Sequence, residues 1–409
     1  MTSATNRKYD VGGVLMDRPF KIRRLGHFGY NVENVGGCLD FYCELLGFRI
    51  SDPQDFAVHH PKGAELKGLG DTNLYFLRHG SDHHSFVMLN RRVFNALGRA
   101  EGLPPDVDVN QMTWQVGSLA EVVSAIDYFA ERKVRINRAG RDMPGSNWHV
   151  YPYDPEGHRN ELYYGIEQIG WFGAAKPRAA HERGFRERPQ LPQMPEYEEV
   201  DRMKAKGVDL GSGYRHPEKA PATYDVDGIL LPRPFKIVRH GPIRLFCRDL
   251  DAMVRFYSEV LGFVITEDAT WNGHRCVFLR CNTEHHSLAL YPMALRAALG
   301  WPGQSTVLSF GMQVANYRQL RAAVAFLKER GCRFVEVPAE LAPGTDYSAF
   351  ALDPAGHGVQ LYYYMEQVGW DGRPRPRRAT QPLPVERWPE TVEPASDTYM
   401  GEPFLGPWA

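Results

Sequence analysis

The chain is written twice. Residues 9–24, YDVGGVLMDRPFKIRR, recur at 224–239 as YDVDGILLPRPFKIVR. FYCELLGF at 41–48 recurs as FYSEVLGF at 256–263, and DHHSFVML at 82–89 as EHHSLALY at 284–291. DPEGHRNELYY at 154–164 returns as DPAGHGVQLYY at 353–363, and IEQIGWFG at 166–173 as MEQVGWDG at 365–372. The order is preserved throughout, so this is a tandem duplication, and whatever one half folds into the other must also fold into.

Each half divides again. A strand-like run at 23–34 leads to a helix over 35–46, closed by Gly47, where a left-handed cap is expected. Three β-rich runs follow near 48–51, 74–78 and 85–89. A second unit opens with a strand over 110–116. Ser118 and Glu121 have capping-box spacing, and Leu119, Val122, Val123, Ile126 and Phe129 mark one helical face. Strands near 134–136, 149–153 and 160–164 complete it. In the second half the helices start near Asp249 and Asn316, good N-cap residues, and end before Gly262 and Gly331. The order βαβββ, four times over, predicts an α+β fold of four modules. Two modules form each open-barrel domain, at 20–173 and 224–372. Residues 1–19 are an arm, 174–223 a linker and 373–409 a Pro/Arg-rich tail, the last two wrapping the surface.

Length and charge narrow the partners. The 409 residues suit two domains, and 48 basic against 49 acidic side chains give a net charge of −1. That balance argues against a phosphate backbone or an anionic membrane as partner and favours a small molecule. No run approaches the ~20 apolar residues of a membrane span, and the polar N-terminus has no signal core, so a cytoplasmic protein is expected. The six cysteines form no CxxC pair and read as buried thiols. P-loop, dinucleotide-binding and nucleophile-elbow motifs are all missing.

Two residues carry the chemistry of such a cup. His27 lies mid-strand in LGHFGYNV, sharing a face with Gly29 and Asn31, and Glu161 lies in the strand NELYY. Taken alone, His27 reads as a satisfied core histidine, and Glu161 as an exposed strand residue. A carboxylate in an aromatic strand is costly to bury unless paired or bound to a cation, so together they point to a metal.

HFGYNVENVGGCLDFYCELLGF resembles the opening of a module of the type I extradiol ring-cleavage dioxygenases, in the vicinal oxygen chelate superfamily. DPEGHRNELYY is similar to that family's closing signature. The resemblance covers about 20–170 and 236–370. It implies a divalent ion, iron(II) or manganese(II), held by two histidines and a glutamate with open positions left for substrate and O2. His27 and Glu161 match the first histidine and the glutamate. Aligning helix starts puts Gln111 where the second histidine belongs, a departure: it either ligates through its amide oxygen or is a polar pocket residue. His83 matches the proton-shuttling histidine, with His84 beside it, and Tyr151 matches the tyrosine that donates to the bound substrate. Asp142 replaces a pocket histidine. The corresponding residues of the second half are Pro242, Ser309, Phe350 and Gln360. That half is therefore expected to be structural or to shape the substrate site, with His240 out of register in solvent or a loop.

The resemblance implies a metal-dependent dioxygenase acting on a small catecholic aromatic and O2, as a homo-oligomer. Two alternatives stay open. One is a non-oxidative metal enzyme on the same scaffold, an isomerase or lyase. The other is a non-catalytic protein that binds an aromatic ligand.

Overall fold

The computed structural model describes residues 7–392 apart from 100, 142–143, 182–183, 185, 303, 370 and 376–383. Each half opens with a small hairpin, β1 (Tyr9–Val11) with β2 (Val14–Met16) and, later, β11 (Tyr224–Val226) with β12 (Ile229–Leu231). The first half then supplies β3 (Arg24–Val32), β4 (Arg49–Asp55), β5 (Asn73–Arg78), β6 (Phe86–Asn90), β7 (Val109–Gln115), β8 (Ile136–Arg141), β9 (Trp148–Pro152) and β10 (Asn160–Tyr164). They form one eight-stranded sheet in the order β4-β5-β6-β3-β7-β10-β9-β8. The second half repeats it as β14-β15-β16-β13-β17-β20-β19-β18, from β13 (Ile237–Cys247), β14 (Val264–Trp271), β15 (His274–Arg280), β16 (Leu288–Pro292), β17 (Val307–Val314), β18 (Phe334–Val335), β19 (Ser348–Leu352) and β20 (Gly358–Tyr362). These are the four expected modules: the first strands of the two modules in a half pair antiparallel at the sheet centre, and each pairs in parallel with the last strand of its own module.

Local chemistry sets the helix starts. The side chains of Ser118, Asp249 and Asn316 accept from the backbone N–H of Glu121, Ala252 and Gln319. The helix over 35–46 is not uniform, however. After Val35–Leu39 it widens into a π-helical turn over Asp40–Leu45, where Leu46 N–H donates to Phe41 O at 3.0 Å. Phe256–Val260 does the same in the second half, with Leu261 N–H on Phe256 O. Apolar spacing cannot show one extra residue per turn, because Phe41 and Tyr42 are buried in either register.

The halves share one core. Phe28 stacks on Phe310 with ring centroids 4.8 Å apart, and a continuous apolar cluster runs through both sheets and their helices. The linker carries an unanticipated helix, Glu196–Ala205, whose Glu199 forms a buried ion pair with Arg141. Trp388 of the tail packs against Tyr317 and Tyr347. His240 is neither in solvent nor in a loop: it is buried in β13, its Nδ1 2.9 Å from His79 Nε2. Among the described residues no helix is long and apolar enough to cross a membrane.

The DPxGH turns join the halves reciprocally. Asp353 Oδ2 accepts from Tyr42 OH (3.0 Å) and meets His357 Nδ1 (3.1 Å), and His357 Nε2 meets Asp108 Oδ2 (2.8 Å). The counterpart is Asp154 Oδ2, which accepts from Tyr257 OH (3.0 Å) and meets His158 Nδ1 (2.9 Å), while His158 Nε2 lies 2.9 Å from Thr306 Oγ1. Burial opposes a charge on His357 and is the largest single influence, but Asp353 and Asp108 together outweigh it and raise the imidazolium to about 10.

A folded-state value raised above the ordinary 6.5 gives stabilisation that is complete below about pH 6.5 and lost as pH rises through about 10. Thermal melts of the wild type should therefore fall progressively between those values. His357→Gln, which strands two buried carboxylates, should cost about 3–5 kcal/mol at pH 7 and remove most of that slope. A wild-type melting temperature that stays flat from pH 6.5 to 10 would refute a charged latch.

Candidate active site

The inner face of the first sheet is polar. His27 on β3 and Glu161 on β10 flank Thr113 on β7, which is the cross-strand partner of both. His27 Nε2 lies 3.1 Å from Glu161 Oε2. Thr113 Oγ1 donates to the same oxygen at 2.9 Å, and Asn147 Nδ2 donates to Oε1 at 2.7 Å. A carboxylate with no exposed surface needs such partners. The geometry relies on Gly26, because a Cβ there would sit 2.2 Å from the Tyr163 ring, which packs 5.3 Å from His27.

The expected residues fall in different places. Gln111 faces the same side as Thr113 but one pleat away, opposite Gly29 and half-buried. Bulges between Leu25 and His27 and between Gly29 and Tyr30 shift the pairing, so counting from helix starts does not find the residue beside His27. Of the two adjacent histidines, His84 is the inner one, its ring 4.1 Å from that of His27. Burial first, then His27 and His83, holds it well below the usual histidine range. His83 lies behind it: His83 Nδ1 is 3.0 Å from His84 Nδ1, and His83 Nε2 is 2.8 Å from Asp52 Oδ2. A loop passes over both rings at Gly145 (φ +93°), where a Cβ would stand 3.1 Å from His84 Cε1. Tyr151 is buried on the face of β9 that also carries His149, with the Arg138 guanidinium 4.0 Å over its ring. Asp142 lies outside the described residues.

A 3.1 Å separation is what neighbouring ligands show around a divalent ion, since two bonds of ~2.1 Å at right angles end about 3 Å apart. His27 and Glu161 thus fit a metal as a pair. Among the described residues no three His, Cys, Asp or Glu side chains are already grouped to hold an ion. The strand position between the pair belongs to the neutral Thr113.

The second sheet has a different interior, and sequence reasoning missed its centre. Arg244, buried on β13, directs NH1 at Gln360 Oε1 (2.5 Å) and Ser309 Oγ (3.5 Å), and NH2 at His286 Nε2 (3.0 Å). Its guanidinium lies over the Phe350 ring, and the buried cluster that holds Phe350 also includes Phe246, Leu308, Tyr291 and Trp301. Arg244 is the repeat counterpart of Gly29, and Phe246 and Leu308 are those of Asn31 and Asn110. The signal in the sequence was an arginine within the apolar stretch PIRLFC, residues 242–247.

Comparison with known proteins agrees with this architecture. A 2,2',3-trihydroxybiphenyl dioxygenase of Sphingomonas paucimobilis is 29% identical over 114 residues, 28% of this chain and 37% of the relative. A 3-methylcatechol 2,3-dioxygenase of Pseudomonas putida is 26% identical over 145 residues, 36% of this chain and 43% of the relative. The match therefore spans less than half the length of either. The crystal structure of a Mn(II)-bound glyoxalase from Novosphingobium aromaticivorans superposes with a TM-score of 0.53 over 86% of this chain and 85% of its own, at 15% identity, which is a likeness of fold. One family model matches twice in register with the duplication, over residues 24–162 and 239–361, and by that match the chain belongs to the Glyoxalase/Bleomycin resistance protein/Dioxygenase superfamily.

Proposed function

We propose that the first cup is the active site of an extradiol-type dioxygenase, which adds both atoms of O2 to a catecholic ring and opens the ring bond beside the diol. The observation that carries this reading is the buried His27–Glu161 pair at the floor of a polar cup, set at ligand spacing. The two matched relatives, both named as dioxygenases of hydroxylated aromatic rings, support the substrate class. His27 and Glu161 would hold a divalent ion, iron(II) or manganese(II), and a Mn(II)-bound fold neighbour is consistent with that. When bound, the ion supplies the one-electron chemistry that couples an aromatic diol to O2.

The remaining residues have defined tasks. Thr113 and Asn147 fix the rotamer of the Glu161 carboxylate by donating to its two oxygens. His83 lies behind His84, with Nδ1 on His84 Nδ1 and Nε2 on Asp52, whose side chain is 17% exposed, so a proton passed on by His84 leaves through His83 toward the surface. Tyr151 offers its hydroxyl to substrate oxygen, and Arg138 over its ring adds positive charge beside it. Gln111 forms polar wall. The second cup, packed around Arg244, supports the first through the shared core.

The neutral Thr113 favours one other reading, a non-oxidative isomerase or lyase on the same residues, because a less anchored ion suits simple polarisation of a substrate oxygen. Oxygen uptake separates the two. Metal-loaded protein, given a panel of catechols under 18O2, should consume oxygen and yield product heavier by both labelled atoms. No uptake with any catechol would remove the oxidative reading.

Two variants test the assignment. Glu161→Ala should lose the metal while circular dichroism and melting stay near wild type; full metal occupancy in that variant would exclude the pair as the site. With metal at saturation, His83→Ala should lose roughly 10²–10⁴-fold in turnover and one limb of the pH–rate profile. An unchanged profile would assign His83 to structure.

A further inference from the structure

An arginine stays charged at neutral pH, so a buried guanidinium needs an acid or a bound anion beside it. Arg244 has no exposed surface, and the groups it donates to, His286 Nε2, Gln360 Oε1 and Ser309 Oγ, are neutral acceptors. Among the described residues no carboxylate pairs with it. Because arginine only donates, His286 Nε2 must accept, which leaves the hydrogen of that ring on Nδ1, facing His285 Nδ1 at 3.2 Å. His285 Nε2 then faces Glu267 at 3.4 Å. The acid that this network reaches is two imidazoles away from the charge. Burial is the largest influence on Arg244 and lowers its pKa from the ordinary value. Tyr291 and Tyr362 oppose that shift, yet both keep their protons, donating to the carbonyls of Leu341 and Gly241.

Donors accumulate around the charge. Arg244 Nε, Gln360 Nε2 and Trp301 Nε1 are buried, and among the described residues none of them has a hydrogen-bond partner, a costly state for an N–H. Gln360 offers its nitrogen because its oxygen is committed to Arg244. Trp301 lies against the same wall: a Cβ at Gly358 would stand 2.9 Å from Trp301 Cζ2, and Gly358 is the cross-strand partner of Ser309 and shares a face of β20 with Gln360. Trp301 also reaches solvent, 8% exposed, from the loop after the helix Met293–Ala298. Aromatic rings complete the surroundings, with Phe350 5.9 Å from the guanidinium and Phe246 and Tyr291 in the same cluster. The repeat counterparts of Arg244 and Gln360 are Gly29 and Glu161, so the two cups carry opposite charge at corresponding places.

We propose that the second cup is a binding site for a small aromatic monocarboxylate. Arg244 Nε, Gln360 Nε2 and Trp301 Nε1 take its two oxygens, and Phe350, Phe246 and Tyr291 pack on its ring. The uncompensated guanidinium calls for an anion. Donors from three different side chains suit two separated oxygens better than a single spherical ion, and the aromatic lining selects a ring. This site is independent of the metal-dependent reading of the first cup and stands without it.

Calorimetry and thermal melts of the full chain test this, with benzoate as the probe and benzyl alcohol, acetate and chloride as controls. Wild type should bind one benzoate per chain, about 10–100-fold more tightly than any control. Arg244→Met removes the charge and keeps an unbranched apolar side chain. It should melt no lower than wild type and weaken benzoate by about 100-fold. Gln360→Glu gives the guanidinium an acid within the chain, so it should raise the melting temperature and abolish benzoate binding; it serves even if Arg244→Met folds poorly. Trp301→Phe keeps a ring and loses one donor, at a cost of about 3–10-fold. Glu161→Ala, in the other cup, should leave benzoate affinity unchanged. Benzoate binding at wild-type strength in Arg244→Met or Gln360→Glu would overturn the proposal. So would a wild type that takes acetate or chloride as tightly as benzoate, or that binds none of them. Loss of benzoate in Glu161→Ala but not in Arg244→Met would move the ligand to the first cup and overturn it equally.

Discussion

The two Asp–His turns, each completed by the opposite half, are the contacts on which the rest of the molecule depends. Each buried aspartate is satisfied partly at home, by the backbone of its own turn, and partly abroad, by a tyrosine of the other half. A buried charge with only local partners would be costly, so neither half reaches its low-energy state without the other. His357, stacked on Tyr30 at 3.7 Å and paired with Asp108, ties the second closing turn to the start of β7. The strand that carries Thr113 begins at that contact. Alignment of the sheet that carries His27 and Glu161 is thus set from the far half.

Within this frame the two cups have diverged in opposite directions. The first keeps a polar floor with a carboxylate, an imidazole pair and a histidine chain leading outward. The second sets the Arg244 guanidinium against Gln360, Ser309 and His286, over the Phe350 ring. A Cβ at Gly29 would meet Val87 O at 2.8 Å, whereas the same strand position of the second half carries Arg244, paired with Ala289.

Much of this was legible in the sequence, for local reasons. The repeat, the capping residues Ser118, Asp249 and Asn316, and the left-handed Gly47 all follow from short-range chemistry, and each is seen. His27 and Glu161 stood out because ionisable residues in apolar strands need a reason. What was not legible depends on register or on long-range partners. Two bulges put Thr113, not Gln111, beside His27. Which of the tandem histidines faces inward shows only in the fold, where the His84 ring lies 4.1 Å from that of His27 and His83 lies behind it. The buried network of Arg244 could not be read because its three partners lie 42 to 116 positions away in the chain.

The π-helical turns give the molecule a particular evolutionary memory. Each adds one residue per turn just where Tyr42 and Tyr257 point at the opposite half. Deleting a single residue in such a turn would restore an ordinary helix and swing the tyrosine about 100° around its axis, off its aspartate. A lesion that small, on the outside of the sheet, would unfasten the far cup and leave its own nearly intact. The duplicated halves are therefore bound to drift together in length while remaining free to drift apart in chemistry.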